Sequence, residues 1–257
     1  MTRRKKGSPK GISGDLFPRI WAVWGLLTFI ITFLLIFFPS MICYLMPERK
    51  GQSYFIRVSK IWMNIWLFLI RCPVKVSGTE NFKTGKVYIV VFNHNTLLDV
   101  PLSCPYVPGP NKTIAKSSFT KVPLFGLFYK RGAVLVNRKD PASRRKSYEL
   151  MKQVLSKGMH MCIYPEGTRN RTEQPLKSFS DGAFRLSVET NTAIIPCILT
   201  GTKRAMPVDR SWYLLPTHLN MNFLEPILPN NMSFSELKEK TFTLMKTFYV
   251  SHAQAEM

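Results

Sequence analysis

The stretch Val87-Tyr88-Ile89-Val90-Val91-Phe92-Asn93-His94-Asn95-Thr96-Leu97-Leu98-Asp99 decides the fold class. Its first six residues are apolar, rich in β-branched and aromatic side chains, and too few for a helix, which is the pattern of a buried strand. The strand runs directly into a polar turn, followed by a short helical pattern. His94 falls in that turn and Asp99 in the first helical turn. The carboxylate can therefore bond one ring nitrogen, fix the tautomer and leave the other nitrogen free as a base. It would also stabilise the imidazolium that forms, as the acid of a triad does. No serine or cysteine is needed if the substrate brings the nucleophile. Two plainer readings compete: Thr96-x-x-Asp99 is also a capping box, and His94 alone could be an ordinary buried histidine.

The same grammar repeats from Cys72 onward. Strands are expected at Val74–Val76, Val87–Phe92, Thr113–Ala115, Ala133–Asn137, His160–Ile163, Ala193–Leu199 and Leu219–Leu224. Helical patterns occur at Leu97–Tyr106, Pro141–Ser156, Gly182–Thr190 and Phe234–His252. The helix from Pro141 is the best marked, with Asp140 as N-cap, Pro141 at the first helical position and Gly158 as the stop. Alternation of strands and helices predicts an α/β layered domain over residues 72–257, with a mostly parallel or mixed central sheet flanked by helices.

A second constellation, Tyr164-Pro165-Glu166-Gly167-Thr168-Arg169, also follows an expected strand. Gly167 permits a close backbone approach, Thr168 supplies a hydroxyl and Arg169 presents a planar fork matched to a phosphate. A plain β-turn carrying a surface salt bridge would have the same composition.

Upstream, the chemistry is different. Residues 1–15 hold five Lys/Arg among Gly, Ser and Pro, a composition expected to form a flexible basic tail. Residues 20–38 contain no charge, and a 19-residue helix is roughly 28 Å long, close to the hydrocarbon thickness of a bilayer. This predicts a membrane-inserted segment; it is longer than the core of a secretory signal peptide, and no small-residue cleavage site follows. Residues 52–71 form an amphipathic pattern suited to a helix in the membrane interface, with packing against a soluble domain as the competing reading. Residues 16–71 thus read as a pair of membrane-anchoring helices. Basic residues flank the first segment on both sides, which favours a hairpin anchor with the catalytic domain on the cytoplasmic face, although a simple span would place it outside.

The whole chain has 257 residues, 46% of them hydrophobic, and a formal net charge of +21. That apolar fraction excludes general disorder, and the charge points to an anionic partner: nucleic acid, phospholipid or a phosphorylated small substrate. The five cysteines and four histidines are scattered, without the spacing of a metal or redox site, and a reduced intracellular protein is the simplest inference. No zinc spacing, helix-turn-helix signal or aromatic RNA-binding box supports nucleic acid.

Taken together, His94 and Asp99 as an HxxxxD signature with Glu166-Gly167-Thr168-Arg169 resemble the glycerolipid acyltransferases, most closely those acting on 1-acyl-sn-glycerol-3-phosphate (lysophosphatidic acid). Further blocks fall in family order: Lys116-Ser117-Ser118-Phe119, Val122-Pro123-Leu124-Phe125-Gly126, Gly132 to Arg138, and Ile195-Pro196-Cys197. The resemblance covers roughly residues 72–225. It implies that His94, oriented by Asp99, deprotonates the hydroxyl of a lysophospholipid, which attacks an acyl thioester to give phosphatidic acid. It implies a phosphate site at Glu166, Gly167, Thr168 and Arg169, to which Lys116 and Arg138 are added as candidates. No metal or cofactor is implied; acyl-CoA or acyl carrier protein would be the co-substrate, and an anionic membrane surface the partner. Other acceptors, such as glycerol-3-phosphate, another lysophospholipid or an acylated amino-acid lipid, keep the same chemistry. The chain departs from the family pattern at Thr96, usually Ser, at Ser118, usually Glu, and at Leu135-Val136, often Phe-Ile. Pro101 and Pro105 predict a short helix after Asp99.

Overall fold

The computed structural model describes residues 16–253; the expected basic tail at 1–15 lies outside the described residues. Seven strands form one sheet: β1 (Val74–Ser77), β2 (Ile89–Phe92), β3 (Asn111–Lys116), β4 (Ala133–Val136), β5 (His160–Ile163), β6 (Ile194–Thr200) and β7 (Leu219–Phe223). Their order is β1-β7-β6-β2-β5-β3-β4. Every neighbouring pair is parallel except β6 with β7. Strands β2 to β6 consequently share one direction, and their carboxyl ends form a single rim. Ligands of open α/β sheets bind at such a rim.

The central position of β2 explains its composition. It lies between β5 and β6, and all four residues are buried. The pleat sends alternate side chains to opposite faces. Val90 and Phe92 join a core with Phe33, Phe55, Trp62, Trp66, Leu98 and Phe128. Ile89 and Val91 join the opposite core with Met151, Leu155, Phe184 and Leu237. The first core is built with α1 (Leu16–Met41), α2 (Glu48–Leu69), α3 (Asp99–Ser103) and α4 (Phe125–Gly132). The second is built with α5 (Pro141–Ser156), α6 (Gly182–Thr190) and α8 (Phe234–Ala253), while α7 (Thr202–Ala205) is a single turn after β6.

The N-terminal hairpin is therefore one of the layers that close the sheet. Its tryptophans act as cross-bolts. Trp66 Nε1 donates to the Gly25 carbonyl at 2.9 Å, Trp62 Nε1 to Thr32 Oγ1 at 2.9 Å, and Trp21 Nε1 to the Ile70 carbonyl at 3.0 Å. Along α2 the buried residues include Gln52, Phe55, Ile56, Ser59, Trp62 and Trp66, one helical face, while Ile61, Ile65 and Phe68 remain exposed. Each reading of the 52–71 pattern thus has residues to act on, because α2 has two apolar faces. It begins at Glu48, four residues earlier than the periodicity indicates, directly after Pro47.

One expected helix is shorter than its apolar pattern, and one helix falls outside the expected elements. The helical pattern over Leu97–Tyr106 is the five-residue α3 followed by a 3₁₀ turn at Cys104–Tyr106, short as its prolines predict, because Pro105 lacks the N–H that would bond the Pro101 carbonyl and continue the helix. Helix α4 has no counterpart among the expected elements. It is eight residues long and lies in a stretch whose proline and glycines read as loop.

Candidate active site

The turn after β2 carries His94, and the carboxylate of Asp99 folds back onto it. Asp99 Oδ2 accepts the backbone N–H of Asn95 at 2.5 Å and of Thr96 at 2.7 Å, and lies 2.9 Å from His94 Nδ1. An ionised carboxylate only accepts, so this contact assigns a ring proton to Nδ1, and in the neutral ring Nε2 is then the acceptor. The Asp99 side chain is fully buried and that of His94 16% exposed, so a bound molecule could reach the imidazole but not its carboxylate partner. Asp99 Oδ1 is buried without a hydrogen bond among the described residues. Part of the carboxylate's charge thus stays available to an imidazolium forming beside it, and a low-dielectric site strengthens that attraction. The same oxygen of Asp99 serves both the backbone N–H groups, as a cap does, and the imidazole, so the geometry accommodates both readings of Thr96-x-x-Asp99.

Asparagines that the sequence motifs do not single out hold the turn. Asn93 is buried and pairs with both backbone groups of Leu199 in β6: its Nδ2 donates to the carbonyl at 2.9 Å, and its Oδ1 accepts the N–H at 2.7 Å. Asn95 Nδ2 lies 3.4 Å from Thr202 Oγ1 at the start of α7. The available signal for both is an Asn on each side of His94 where a strand ends. Tyr164 packs against the base with ring centroids 4.6 Å apart, and its hydroxyl pairs with Ser103 Oγ at 2.5 Å. Burial pushes the Tyr164 phenol well above its ordinary pKa and keeps it neutral.

The second constellation follows β5, the neighbour of β2, so the two motifs meet at the rim. Glu166 makes contacts other than those expected of it. Its carboxylate accepts the backbone N–H of His94 at 2.7 Å and of Lys177 at 3.0 Å, and the residue is buried. It positions the loop; an anion committed to two N–H donors has no attraction for a phosphate. Burial pushes the Glu166 carboxyl above the usual carboxylate range, and the two donors oppose that shift. Gly167 adopts φ +71°, and a Cβ there would meet nothing within 4 Å. Conformation, not crowding, requires glycine, and the space beside it is open.

Thr168 is exposed and Arg169 half-buried; the guanidinium makes no hydrogen bond or ion pair with the described residues. Lys177, absent from the sequence-derived site, donates from Nζ to Thr168 Oγ1 at 2.6 Å. Two cations therefore flank one loop. Lys116 and Arg138 sit exposed at the carboxyl ends of β3 and β4. At about 4.8 Å per strand, these ends are roughly 10 and 14 Å from β2. Arg169 and Lys177 belong to the loop after β5, beside the His94 turn, whereas Lys116 and Arg138 mark the outer part of the rim.

Known proteins resemble this chain in both sequence and fold. The family model described as acyltransferase matches residues 73–200. A Cocos nucifera protein named 1-acyl-sn-glycerol-3-phosphate acyltransferase is 28% identical over 210 residues, 79% of this chain and 64% of that protein. A protein of the same name from Borreliella burgdorferi is 30% identical over 157 residues, 58% of this chain and 59% of its own. The chain thus spans somewhat under two thirds of the length of these relatives. The crystal structure of a 1-acyl-sn-glycerophosphate (LPA) acyltransferase from Thermotoga maritima superposes with a TM-score of 0.77 at 22% identity, covering 94% of this chain and 97% of that one. By the match over residues 73–200, which contains both motifs of the site, the chain belongs to the acyltransferase family.

Proposed function

We propose that this protein transfers a fatty acyl group from an acyl thioester to the free hydroxyl of 1-acyl-sn-glycerol-3-phosphate, forming phosphatidic acid. The observation that carries the reading is the His94–Asp99 pair at 2.9 Å on the same rim as Arg169, whose guanidinium has no partner among the described residues. His94 Nε2 takes the hydroxyl proton as the oxygen attacks the thioester carbonyl; the tetrahedral intermediate collapses, and the protonated ring gives the proton to the departing thiolate. Asp99 holds the ring and offsets its transient charge. General-base catalysis of this kind contributes about 10² to 10⁴-fold. Arg169 and Lys177 hold the acceptor's phosphate, while Lys116 and Arg138 supply positive potential to the outer rim. The nucleophile belongs to the acceptor and the activated acyl group to the donor, so the step as written needs no cofactor. Donors of this chemistry are acyl-CoA and acyl carrier protein.

A membrane location belongs to the same reading. Helix α1 is long and apolar enough to cross a bilayer, and only a third of its apolar window is buried. Ile20, Leu27, Ile31, Leu34, Leu35 and Phe38 are exposed. An apolar strip of that extent marks an interaction surface. Both ends of α1 are tied to other parts of the protein: the Pro18 carbonyl accepts Leu214 N–H at 3.1 Å, and the Pro39 carbonyl accepts Tyr54 Oη at 3.1 Å. A helix bound along its length is suited to lying in one leaflet beside the catalytic domain, which remains on the cytoplasmic face. The anionic leaflet attracts the basic surface at up to about 1 kcal/mol per residue close to it.

Purified protein with lysophosphatidic acid and acyl-CoA, or acyl carrier protein as donor, should yield phosphatidic acid, and His94→Ala should yield almost none. Activity confined to acceptors without a phosphate, or undiminished in His94→Ala, would overturn the reading.

A further inference from the structure

We propose that residues 117–127, between β3 and the first turn of α4, form a second lipid-inserting element that docks the catalytic rim onto an anionic bilayer beside α1. The inference rests on the membrane reading of α1 and extends it to a segment that reading does not use.

Phe119, Val122, Leu124 and Leu127 each expose 44–49% of their surface. Leu124 makes that exposure costly. Its φ is +59° and ψ −53°, and the N–H of Phe125 bonds the Pro123 carbonyl at 2.5 Å. This is the positive-φ γ-turn, rare and strained for any residue with a Cβ. The backbone thus holds an exposed apolar side chain in a conformation that glycine would adopt freely. Strain held in this way accompanies function.

The occupant follows from continuity and charge. Helix α4 joins α1 through Phe33, whose ring centroid lies 5.6 Å from that of Phe125 and 5.7 Å from that of Phe128. It also joins the turn after α1, where Tyr44 Oη donates to the Leu127 carbonyl at 3.0 Å. In that turn Ile42, Tyr44 and Leu45 are themselves exposed. The apolar strip of α1 therefore continues through this turn to the 117–127 segment. Lys116, Lys121 and Lys130 accompany the apolar side chains, and residues 111–148 carry ten Lys/Arg against one Asp. Apolar tips among lysines match the boundary between acyl chains and anionic headgroups. An acidic protein would match the charge but leave the apolar tips without a counterpart.

Lys116 ends β3 on the catalytic rim, and the segment begins at the next residue. Insertion here brings the rim to headgroup level, where a lysophospholipid presents its hydroxyl and phosphate without leaving the leaflet.

The experiment uses the full chain and vesicles of phosphatidylglycerol with phosphatidylcholine. An environment-sensitive dye on Leu124→Cys should brighten and shift to the blue when vesicles are added, whereas the same dye on Lys246→Cys, exposed on α8, should not. Leu124→Gly removes the side chain and relieves the turn. It should keep or raise the melting temperature while requiring about tenfold more lipid for half-maximal binding. Phe119→Ser should weaken binding in the same direction. Dye at 124 that stays in water while wild type binds vesicles, or Leu124→Gly binding as well as wild type, would overturn the proposal. A dye response to acyl carrier protein in place of vesicles would do the same. Failure of wild type to bind at all would instead overturn the membrane reading of α1.

Discussion

Glu166 Oε1 accepts the backbone N–H of His94 at 2.7 Å, so the loop after β5 physically holds the His94 turn after β2. The Asn170 N–H adds a bond to the His94 carbonyl at 2.6 Å. Both backbone groups of His94 are thus claimed by residues 166–170. Glu166→Gln keeps the shape but can accept only one of the two N–H groups, its amide opposing the other. Loss of a buried acceptor costs about 1–3 kcal/mol. We expect kcat to fall about 10- to 100-fold, with a smaller change in KM, because misplacement of the base weakens the chemical step. Steady-state kinetics beside circular dichroism checks this; a variant that loses only acceptor affinity would show that Glu166 serves the phosphate directly.

Asp99→Asn removes the charge beside the imidazole while retaining an oxygen for the backbone N–H groups. The ring remains placed but its protonated state loses a partner, and kcat should drop roughly 10²- to 10⁴-fold. Product formation under single-turnover conditions separates this from slowed release.

Arg169 and Lys177 flank the same loop but are met differently: one guanidinium is free of partners among the described residues, and one ammonium rests on Thr168 Oγ1 at 2.6 Å. A hydrogen bond to a charged group contributes about 1.5–3 kcal/mol, or roughly 10- to 100-fold in affinity. Arg169→Ala and Lys177→Ala should each raise KM for lysophosphatidic acid by that order, with kcat less affected. Titration with a short-chain lysophosphatidate in the absence of donor reads the same loss without turnover. Equal KM values for wild type and Lys177→Ala would remove Lys177 from the site.

What is legible in the sequence is what is local. Strands β2, β4, β5 and β6 are short, largely apolar runs, β1, β3 and β7 alternate apolar with polar residues, and His94 and Arg169 fall beyond strand ends on those patterns alone. The bond between Glu166 and His94 spans 72 residues and depends on β5 lying beside β2, which no periodicity encodes. By sequence neighbourhood Glu166 groups with Gly167, Thr168 and Arg169 as a phosphate ligand, and Lys177, eleven residues further on, carries no motif. Helix α4 is illegible for a related reason: its phenylalanines are ordered by packing on α1 and α2, not by propensity in a segment containing Pro123, Gly126 and Gly132.

The two apolar faces of α2 should separate experimentally. Trp62 is 3% exposed and bonded to Thr32, whereas Ile61 beside it is 52% exposed. Trp62→Ala should cost about 3–5 kcal/mol of stability by opening a cavity between hairpin and sheet. Ile61→Ala should change stability by less than about 0.5 kcal/mol. Denaturation in a mild detergent measures the difference, and comparable losses would contradict the division of α2 into a packed and an open face.

His160 provides a pH-dependent check on the core of the sheet. Its Nδ1 accepts the backbone N–H of Tyr88 at 3.0 Å, and the ring packs against Tyr88 and Phe82. Burial pushes its pKa down from 6.5 to about 4. Between those values the unfolded chain binds the proton and the folded chain does not, so stability rises with pH across this window. The contribution is fully present above about pH 6.5 and is lost as pH falls toward 4, an effect of up to about 3 kcal/mol. His160→Asn places an amide oxygen where Nδ1 accepts and removes the titration. Between pH 6.5 and 4 the melting temperature of wild type should fall more steeply than that of the variant, and parallel curves would assign the acid sensitivity to other groups.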